Sequence, residues 1–328
     1  MPAKIITLLI CMFMSASTAL AFDLQGHRGA RGLAPENTLP AFAKALSIGV
    51  TTLELDTGIS SDGVVVVTHN PTLKSSLVRD ANGKWVDEEP RISSMTFAEL
   101  QKFDVGAYRP GSREASRFPQ QTGMENVAMP SLAELFALVE RSGNKQVRFN
   151  IETKINPTKP GDTVDPEKFA KALVAEVEKA GLSNRVSIQS FDWRTLQVVQ
   201  SIAPDIQTVY LSAQQRWMDT IAGGDGGDGG NWTAGFKVSD YDNSVAKMIK
   251  AAGGQVWSPF YGDLAADKVK KAQALGLAVI PWTVNEEAAM ETLMDMGVDG
   301  IITDYPDILR SLMQRRGMDL PAATPVQP

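Results

Sequence analysis

The stretch QGHRGARGLAPENTLPAF (residues 25–42) joins a candidate strand to a candidate helix through a glycine-rich turn. The strand candidate is DLQGH (23–27), and the helix opens after PENT, with Asn37 or Thr38 as its N-cap. The three glycines of the turn permit unusual backbone angles and a close approach to a ligand. The turn also carries His27, one of only 2 histidines in the chain. The stretch therefore predicts a strand–helix unit with polar side chains at the carboxyl end of its strand.

Further β-rich runs follow this unit and alternate with amphipathic helical patterns. The strand candidates are 23–27, 51–56, 146–152, 185–190, 207–212, 255–260, 277–284 and 300–304. Such alternation predicts a parallel sheet with helices on its outside. Eight units over about 290 residues favour an α/β fold of the closed (β/α)8 TIM-barrel type. An open doubly wound sheet is the structural alternative.

Two regions interrupt this rhythm. After the second strand, a hairpin in SDGVVVVTHN (61–70) leads into a polar stretch without clear period, which predicts an insertion at about 70–130. GGDGGDGGN (223–231) has aspartates among glycines, but its spacing does not fit an EF-hand, so a surface loop is favoured over a calcium loop. The barrel domain is expected to span 22–316, and 317–328 to form a disordered tail.

Residues 1–21 have the pattern of a secretory signal peptide. Lys4 precedes the apolar run IITLLICMFM, and STALA ends in an Ala-x-Ala pattern, which predicts cleavage after Ala21. A membrane-anchored N-terminus is the alternative, although the apolar run is short for a span. Cleavage removes Cys11, the only cysteine, so the mature protein would have no disulfide. Export to a bacterial periplasm fits this composition best.

Composition limits the classes of partner. The chain has 328 residues, a net charge of −6, 43% hydrophobic residues and 21% charged residues, as is ordinary for a soluble globular protein. The negative charge argues against a general nucleic-acid binder. Outside the first twenty residues no segment is long and apolar enough to span a bilayer, so no stable membrane insertion is expected after cleavage.

Acidic side chains gather at two predicted strand ends. Because side chains alternate along a strand, Glu54 and Asp56 of LELD share one face and the leucines share the other. Glu152 of FNIETK occupies an equivalent place on the next barrel strand, and barrel active sites lie at carboxyl strand ends. Carboxylates without cysteine suit one hard divalent cation, Ca²⁺ or Mg²⁺, rather than zinc. Salt bridges at the rim are the alternative, and a calcium-rich periplasm favours Ca²⁺.

Both histidines, His27 and His69, follow strand candidates on the same expected rim. A pair of histidines can act as general base and general acid near neutral pH. Arg28 can meet two phosphate oxygens at once, and Lys154 adds a point charge. Arg31 is interpreted as a solvated loop charge. These residue types indicate phosphate chemistry at the rim.

Six motifs, in order, resemble the glycerophosphodiester phosphodiesterase family. They are GHRGARGLAPENTLPAF, LELD, DGVVVVTHNPTL, FNIETK, WTVN and GIITDYPD, and they extend from about residue 24 to residue 310. The resemblance implies a distorted (β/α)8 barrel. It also implies hydrolysis of glycerophosphodiesters to an alcohol and glycerol 3-phosphate, with a divalent cation as cofactor.

The resemblance implies roles for particular residues of this sequence. They are the acid–base pair His27 and His69, the metal ligands Glu54, Asp56 and Glu152, the phosphate-binding residues Arg28 and Lys154, and Trp282, which packs against the glycerol moiety. Glu36 and Asn37 would organise the first loop. Asn70 is a departure, because the family has an aspartate after this second histidine. An amide carries no charge to stabilise an imidazolium.

The expected function is metal-dependent hydrolysis of glycerophosphodiesters by His/His acid–base catalysis, through direct water attack or through a cyclic phosphate. One alternative is a phospholipase-D-like enzyme that acts on lysophospholipids. The secreted toxins of that type rely on disulfides, which a mature chain without cysteine cannot form. Another alternative is a non-catalytic periplasmic protein that binds glycerophosphodiesters. Such a protein needs neither two histidines nor a metal triad.

Overall fold

The computed structural model describes residues 22–222 and 230–328. The predicted signal peptide, residues 1–21, and residues 223–229 of the glycine-rich loop lie outside these ranges. Within the described ranges, no helix has the length and apolar character needed to cross a membrane.

The described elements follow the predicted alternation. The strands are β1 (Asp23–Gly26), β2 (Thr52–Ile59), β3 (Val65–Val67), β4 (Arg148–Thr153), β5 (Val186–Ser190), β6 (Gln207–Ser212), β7 (Gln214–Gln215), β8 (Met218–Asp219), β9 (Val256–Pro259), β10 (Ala278–Val279) and β11 (Gly300–Thr303). The helices are α1 (Leu39–Ile48), α2 (Phe97–Leu100), α3 (Arg113–Arg117), α4 (Leu132–Arg141), α5 (Pro166–Lys179), α6 (Trp193–Ile202), α7 (Val245–Ala251), α8 (Ala266–Ala274), α9 (Glu287–Met296) and α10 (Pro306–Arg315).

Eight of these strands form a parallel barrel. Their order is β10–β9–β6–β5–β4–β2–β1–β11, and every neighbouring pair is parallel. Backbone hydrogen bonds close the ring between its end strands, because Asp299 N–H donates to Val279 O at 2.9 Å and Ile302 N–H donates to Pro281 O at 3.0 Å. Each predicted strand segment overlaps one barrel strand. The barrel prediction is confirmed, and the open doubly wound alternative is wrong.

The register of β2 against β4 places polar side chains next to one another. Glu54 pairs with Asn150, and Asp56 pairs with Glu152. Paired residues on neighbouring strands face the same side of a sheet, so these side chains enter the barrel interior together. The leucines of LELD are fully buried on the other face, in the apolar layer beneath the helices. The main apolar core therefore lies outside the barrel. The interior holds these polar groups together with a small apolar cluster of Val209, Val256, Ile280 and Ile302.

The opening turn folds as a strand–helix connection. Thr38 is the N-cap of α1, since its Oγ1 accepts a hydrogen bond from Ala41 N–H at 3.3 Å. Gly29 has a φ of +85°, and a Cβ there would lie 2.6 Å from the carbonyl carbon of Ala41. The close approach is therefore between the turn and the helix rather than between the turn and a ligand. Arg28 also has a left-handed φ, +51°, a costly conformation of the kind that clusters at functional sites.

The insertion after the second strand begins with a hairpin. β3 pairs antiparallel with the end of β2, as predicted. Residues 70–130 then fold around a small apolar cluster of their own, which includes Leu73, Ile92 and Leu100. The insertion contributes His69 and α3 to the cleft at the carboxyl end of the barrel. A segment without helical or strand periodicity thus holds part of the site.

Residues 317–328 have no helix or strand, but they lie against the barrel. Thr324 N–H donates to Leu46 O at 2.9 Å, and Arg310 Nη1 donates to Pro321 O at 2.7 Å. The composition of this segment predicts a disordered tail. The structure differs, because these hydrogen bonds tie the segment to α1 and α10.

Candidate active site

Three carboxylates converge inside the carboxyl end of the barrel. Glu54, Asp56 and Glu152 each offer an oxygen, and these oxygens lie within 4.8 Å of one another. All three residues are buried. Asp56 Oδ1 has no hydrogen-bond partner among the described residues, although Lys154 Nζ lies 3.7 Å from it. Such an oxygen-only donor set fits a hard divalent cation such as Ca²⁺ or Mg²⁺. A purely structural ion-pair cluster accounts less well for a buried carboxylate oxygen that accepts no hydrogen bond.

The charges of this cluster repel one another in the metal-free protein. Burial, followed by the neighbouring Asp56 carboxylate, raises the pKa of Glu54 well above its usual range. Burial, with the Asp56 charge added, raises the pKa of Glu152 to about 7. Against the effect of burial, the Arg28 guanidinium holds the pKa of Asp56 well below its usual range. A dication would compensate this repulsion, so the electrostatics agree with the donor set.

His27 follows β1 and lies beside this cluster. Its Nδ1 lies 2.6 Å from Asp304 Oδ1, and its Nε2 lies 3.8 Å from Glu54 Oε2. An ionised carboxylate only accepts hydrogen bonds, so the neutral ring carries its hydrogen on Nδ1 and leaves Nε2 free to accept a proton. Burial, followed by the Arg31 charge, lowers the pKa of His27 to about 4. The arrangement suits a general base.

Asp304 is a site residue that the sequence analysis missed. It follows β11, and besides contacting His27 it accepts hydrogen bonds from Arg31 Nε and Asn285 Nδ2, each at 2.7 Å. Against the effect of burial, the charges of Arg31 and His27 hold the pKa of Asp304 far below its usual range. Arg31 is thus a buried ion-pair partner, and its interpretation as a solvated loop charge is wrong. The available signal was an acid at the carboxyl end of a barrel strand.

His69 reaches the cleft from the insertion, just after β3. It is half-buried, and its Nδ1 lies 3.2 Å from Asn70 Oδ1. The amide oxygen can accept the Nδ1 hydrogen, which leaves Nε2 for the cleft. Burial, followed by the Arg28 charge, lowers the pKa of His69 well below its usual range. Asn70, where the family pattern has an aspartate, therefore keeps a hydrogen bond to the His69 ring and removes a negative charge.

Arg28 and Lys154 stand among the carboxylates. Arg28 Nη1 lies 2.7 Å from Glu36 Oε1, and its Nε lies 3.0 Å from Asp56 Oδ2. Lys154 Nζ lies 2.8 Å from Glu152 Oε1. Both cations line the cleft. They can offset negative charge on a phosphoryl group bound there.

Glu36 and Asn37 connect the opening turn to the rest of the site. Glu36 accepts hydrogen bonds from Arg28 and from the hydroxyl of Tyr108 in the insertion. Asn37 Nδ2 donates to Asp56 Oδ2 at 2.9 Å, and Asn37 Oδ1 accepts from Asp56 N–H at 3.3 Å. These contacts agree with the expectation that the two residues organise the loop.

The cleft has a volume of about 700 Å³, and part of its wall is aromatic. The ring centroid of Trp282 lies 5.2 Å from that of Phe191 and 5.6 Å from that of Phe260. Trp217, between β7 and β8, packs edge-on against Phe260 at 5.3 Å and remains 61% exposed. Of these rings, only Trp282 is predicted from the sequence. The rings offer an apolar surface for the carbon atoms of a small ligand.

The structure brings together every residue that the sequence predicts for the site. His27, Arg28, Glu54, His69, Glu152, Lys154 and Trp282 line the cleft, and Asp56 completes the carboxylate cluster. Four further residues of the site are not predicted from the sequence. They are Asp304, the rim residues Arg113 and Arg117, and Gln189, whose Nε2 donates to Glu54 Oε1 at 2.6 Å. This set of groups can move protons and neutralise a phosphoryl anion within one cleft.

Comparisons with known proteins point to one family. The sequence matches the model of the glycerophosphoryl diester phosphodiesterase family over residues 27–308. It is 28% identical over 291 residues to a glycerophosphodiester phosphodiesterase of Caldanaerobacter subterraneus subsp. tengcongensis, covering 89% of this chain and 97% of the relative. It is 29% identical over 293 residues to one of Bacillus subtilis, covering 87% and 84%. A crystal structure of a candidate glycerophosphoryl diester phosphodiesterase of Silicibacter pomeroyi has a TM-score of 0.79 at 34% identity, covering 91% of this chain and 95% of that one.

Proposed function

The chain belongs to the glycerophosphoryl diester phosphodiesterase family, and we propose that it hydrolyses glycerophosphodiesters to an alcohol and sn-glycerol 3-phosphate. The observation that carries this proposal is the meeting of both histidines with three carboxylates and two cations at one cleft. Hydrolysis of a phosphodiester needs a base, an acid and positive charge around the phosphoryl oxygens. The cleft offers residues for each of these tasks.

We propose that Glu54, Asp56 and Glu152 hold one divalent cation, with Ca²⁺ favoured over Mg²⁺. When bound, such a cation draws electron density from a phosphoryl oxygen and lowers the pKa of a neighbouring hydroxyl. The Asp56 oxygen that accepts no hydrogen bond and the raised pKa values of the other two acids support the assignment. Arg28 and Lys154 add positive charge beside the same phosphoryl oxygens.

His27 acts as the first base in this proposal. Its Nε2 removes a proton from the glycerol 2-hydroxyl or from a water molecule, and the imidazolium that forms is stabilised by Asp304 at Nδ1. The deprotonated oxygen attacks phosphorus in line. His69 then donates a proton from Nε2 to the departing alkoxide. If the 2-hydroxyl attacks, a cyclic phosphate forms, and water opens it with the two histidines in exchanged roles.

His69 must hold a proton before it can act as an acid. Burial, followed by the charges of Arg28 and Lys154, opposes that proton in the free protein and lowers the pKa of His69. A phosphodiester anion bound between these cations cancels part of their field, so substrate binding is expected to raise the pKa of His69. Asn70 supplies a hydrogen bond without a charge. The imidazolium of His69 is therefore a stronger acid than one beside a carboxylate, which favours proton donation.

Coupled detection of glycerol 3-phosphate from a panel of diesters tests this function. We expect glycerol 3-phosphate from glycerophosphocholine in the presence of Ca²⁺ or Mg²⁺, and no inorganic phosphate from glycerol 3-phosphate itself. Choline release from lysophosphatidylcholine at a comparable rate would favour a phospholipase-D-like enzyme instead. Tight binding of glycerophosphocholine without turnover would favour a binding protein.

Two arginines of α3 give the cleft a cationic side. Arg113 and Arg117 are exposed and line the cleft, and no carboxylate of the described residues pairs with either of them. They belong to the same insertion as His69, which protonates the leaving alcohol in the proposed mechanism. A leaving alcohol that carries negative charge and departs past these cations would be favoured.

Replacing both residues, as Arg113→Gln with Arg117→Gln, tests this preference. We expect KM to rise about three- to tenfold for bis(glycerophospho)glycerol, whose leaving alcohol carries a phosphate, because an exposed charge contributes below about 1 kcal/mol. KM for glycerophosphocholine should stay constant or fall, because its leaving alcohol is a cation. Arg141→Gln, on an exposed residue of α4, is the matched control. Equal changes in KM for both substrates would contradict the preference.

We also propose that residues 1–21 direct export to the periplasm. The basic start, the apolar centre and the Ala-x-Ala ending support this. In a bacterial expression host, N-terminal sequencing of the periplasmic fraction is expected to begin at Phe22, and Ala21→Asp should block processing. Recovery of the protein with Met1 retained in the cytoplasm would contradict the proposal.

A further inference from the structure

Buried polar side chains form one hydrogen-bonded file through the barrel interior, from Asp23 to Glu54. Gln25 Nε2 donates to Asp23 Oδ2 at 2.9 Å, and Asn150 Nδ2 donates to Gln25 Oε1 at 2.9 Å. Asn150 Nδ2 also donates to Gln189 Oε1 at 2.9 Å, and Gln189 Nε2 donates to Glu54 Oε1 at 2.6 Å. All of these side chains are buried. We call this set the amide file.

Both ends of the amide file are carboxylates, which accept hydrogen bonds and cannot donate them when ionised. At the amino end, Asp23 also accepts from Thr52 Oγ1 at 2.7 Å and pairs with Arg148 Nη2 at 2.9 Å. At the carboxyl end, Glu54 Oε2 accepts from the backbone N–H of Arg28 at 2.9 Å. A carboxylate that ligates a cation is ionised, so with Glu54 in that form each end of the file must present an N–H group.

Asn150 makes this possible, because its amide nitrogen carries two hydrogens. One hydrogen goes to each neighbouring glutamine, while Asn150 Oδ1 accepts from Ser187 Oγ at 3.0 Å. A glutamine presents oxygen on one side of its amide and hydrogens on the other. Since Asn150 occupies the oxygen of Gln189, the hydrogens of Gln189 must face Glu54. An acceptor at position 150 would favour the reverse orientation.

We propose that Asn150 and Gln189 are positioning residues that orient Glu54 as a ligand for the divalent cation. Gln189 secures one oxygen of Glu54 and the Arg28 backbone secures the other, so the plane of the carboxylate is set before a cation arrives. The Asn150 side chain makes no hydrogen bond to a cation ligand and does not line the cleft, so it acts on Glu54 through Gln189. This inference rests on the proposed metal site. Hydrogen-bonded neighbours of metal ligands commonly change metal affinity by about 10- to 100-fold.

Titration calorimetry with Ca²⁺ alone tests the amide file without relying on turnover. We expect Gln189→Leu to weaken Ca²⁺ binding by about 10- to 100-fold, since it removes the donor to Glu54. Asn150→Asp should also weaken binding by at least about tenfold, because the acid supplies at most one hydrogen where the amide supplies two. In the double variant the loss should match that of Gln189→Leu alone, since Asn150 acts only through Gln189.

Ser258→Ala is the matched control, because it removes a buried hydroxyl from β9, where Ser258 Oγ donates to Ile280 O. Its Ca²⁺ affinity should equal that of the wild type. Thermal unfolding in chelator shows whether each variant is folded, and Asn150→Ser replaces Asn150→Asp if the latter is not. Wild-type affinity in the Gln189 and Asn150 variants, or additive losses in the double variant, would contradict the proposal that these two residues orient Glu54. No Ca²⁺ or Mg²⁺ binding by the wild type would instead overturn the metal site.

Discussion

Replacing His27 with alanine is expected to lower kcat by about 10²- to 10⁴-fold, the usual contribution of a positioned general acid or base. The ring is fixed by the 2.6 Å contact between its Nδ1 and Asp304, and the chain has only one other histidine. That histidine, His69, serves the other end of the proposed reaction, so no second imidazole replaces the ring. KM should change little, because Arg28 and Lys154 hold the phosphoryl group. Initial rates of glycerol 3-phosphate release measure both constants.

Two comparison variants make this result specific. His69→Ala should cause a loss of similar size, since each histidine serves one end of the reaction. Asp304→Asn should lower kcat with little change in KM, because the amide cannot stabilise the imidazolium of His27 as a carboxylate does. Unfolding midpoints of all variants show whether a loss of activity comes from lost catalysis or from unfolding. Near-wild-type turnover in a folded His27→Ala variant would remove His27 from the acid–base pair.

The carboxylate cluster could be predicted from the sequence because two regularities coincide there. Alternation along a strand places Glu54 and Asp56 on one face, and adjacent parallel strands bring Glu152 to the same level. Both rules act over short distances and leave few choices of register. The closed barrel then follows from the number of strand–helix units. This is why a local pattern was enough to find the metal-ligand candidates.

The partners of those residues could not be predicted in the same way. Asp304 meets His27 across 277 positions in the chain, and only the pairing of the first barrel strand, β1, with the last, β11, brings them together. Arg31 looked like a solvated charge because its sequence neighbours are loop residues, yet Asp304 makes its burial favourable. Arg113 reaches the cleft from a segment without periodicity. Contacts of this kind depend on the completed tertiary structure rather than on local pattern.

Removing divalent cations is expected to abolish turnover, and adding Ca²⁺ is expected to restore it. The loss should be at least about 10³-fold, because the cation supplies several kcal/mol of charge stabilisation in the transition state. Glu54→Gln should reproduce the loss in the presence of Ca²⁺. Rates are compared after exhaustive chelation at constant ionic strength, with added KCl as the control for salt. Full activity after chelation would remove the cation from the reaction.

Cation binding should also depend on pH, because a proton competes for the same oxygens. The pKa of Glu152 is raised to about 7 in the metal-free protein. Below this pH a proton must leave Glu152 before the cation binds, so Ca²⁺ affinity should fall as the pH falls from 8 to 6. Titration calorimetry at these two pH values measures the change. Constant affinity over this range would contradict the raised pKa.

The same raised pKa also affects the stability of the metal-free protein. Ca²⁺ affinity rises with pH, whereas the stability of the metal-free protein falls. The pKa of Glu152 is about 7 when folded against an ordinary 4.5, so between these values the folded state holds more protons than the unfolded state. Its contribution to the free energy of unfolding therefore falls as the pH rises through this window. Glu152→Gln resembles the protonated acid and should stabilise the chelated protein at pH 8 by up to about 3 kcal/mol.

Urea unfolding of the wild type and Glu152→Gln, with Ca²⁺ and with chelator, measures both effects together. We expect Ca²⁺ to stabilise the wild type and to have little effect on the variant, which lacks one ligand. In chelator at pH 8 the order should reverse, with the variant the more stable protein. If the variant were instead less stable in chelator, the 2.8 Å pair between Glu152 and Lys154 would outweigh the repulsion among the carboxylates. The idea that the empty cluster destabilises the fold would then be wrong.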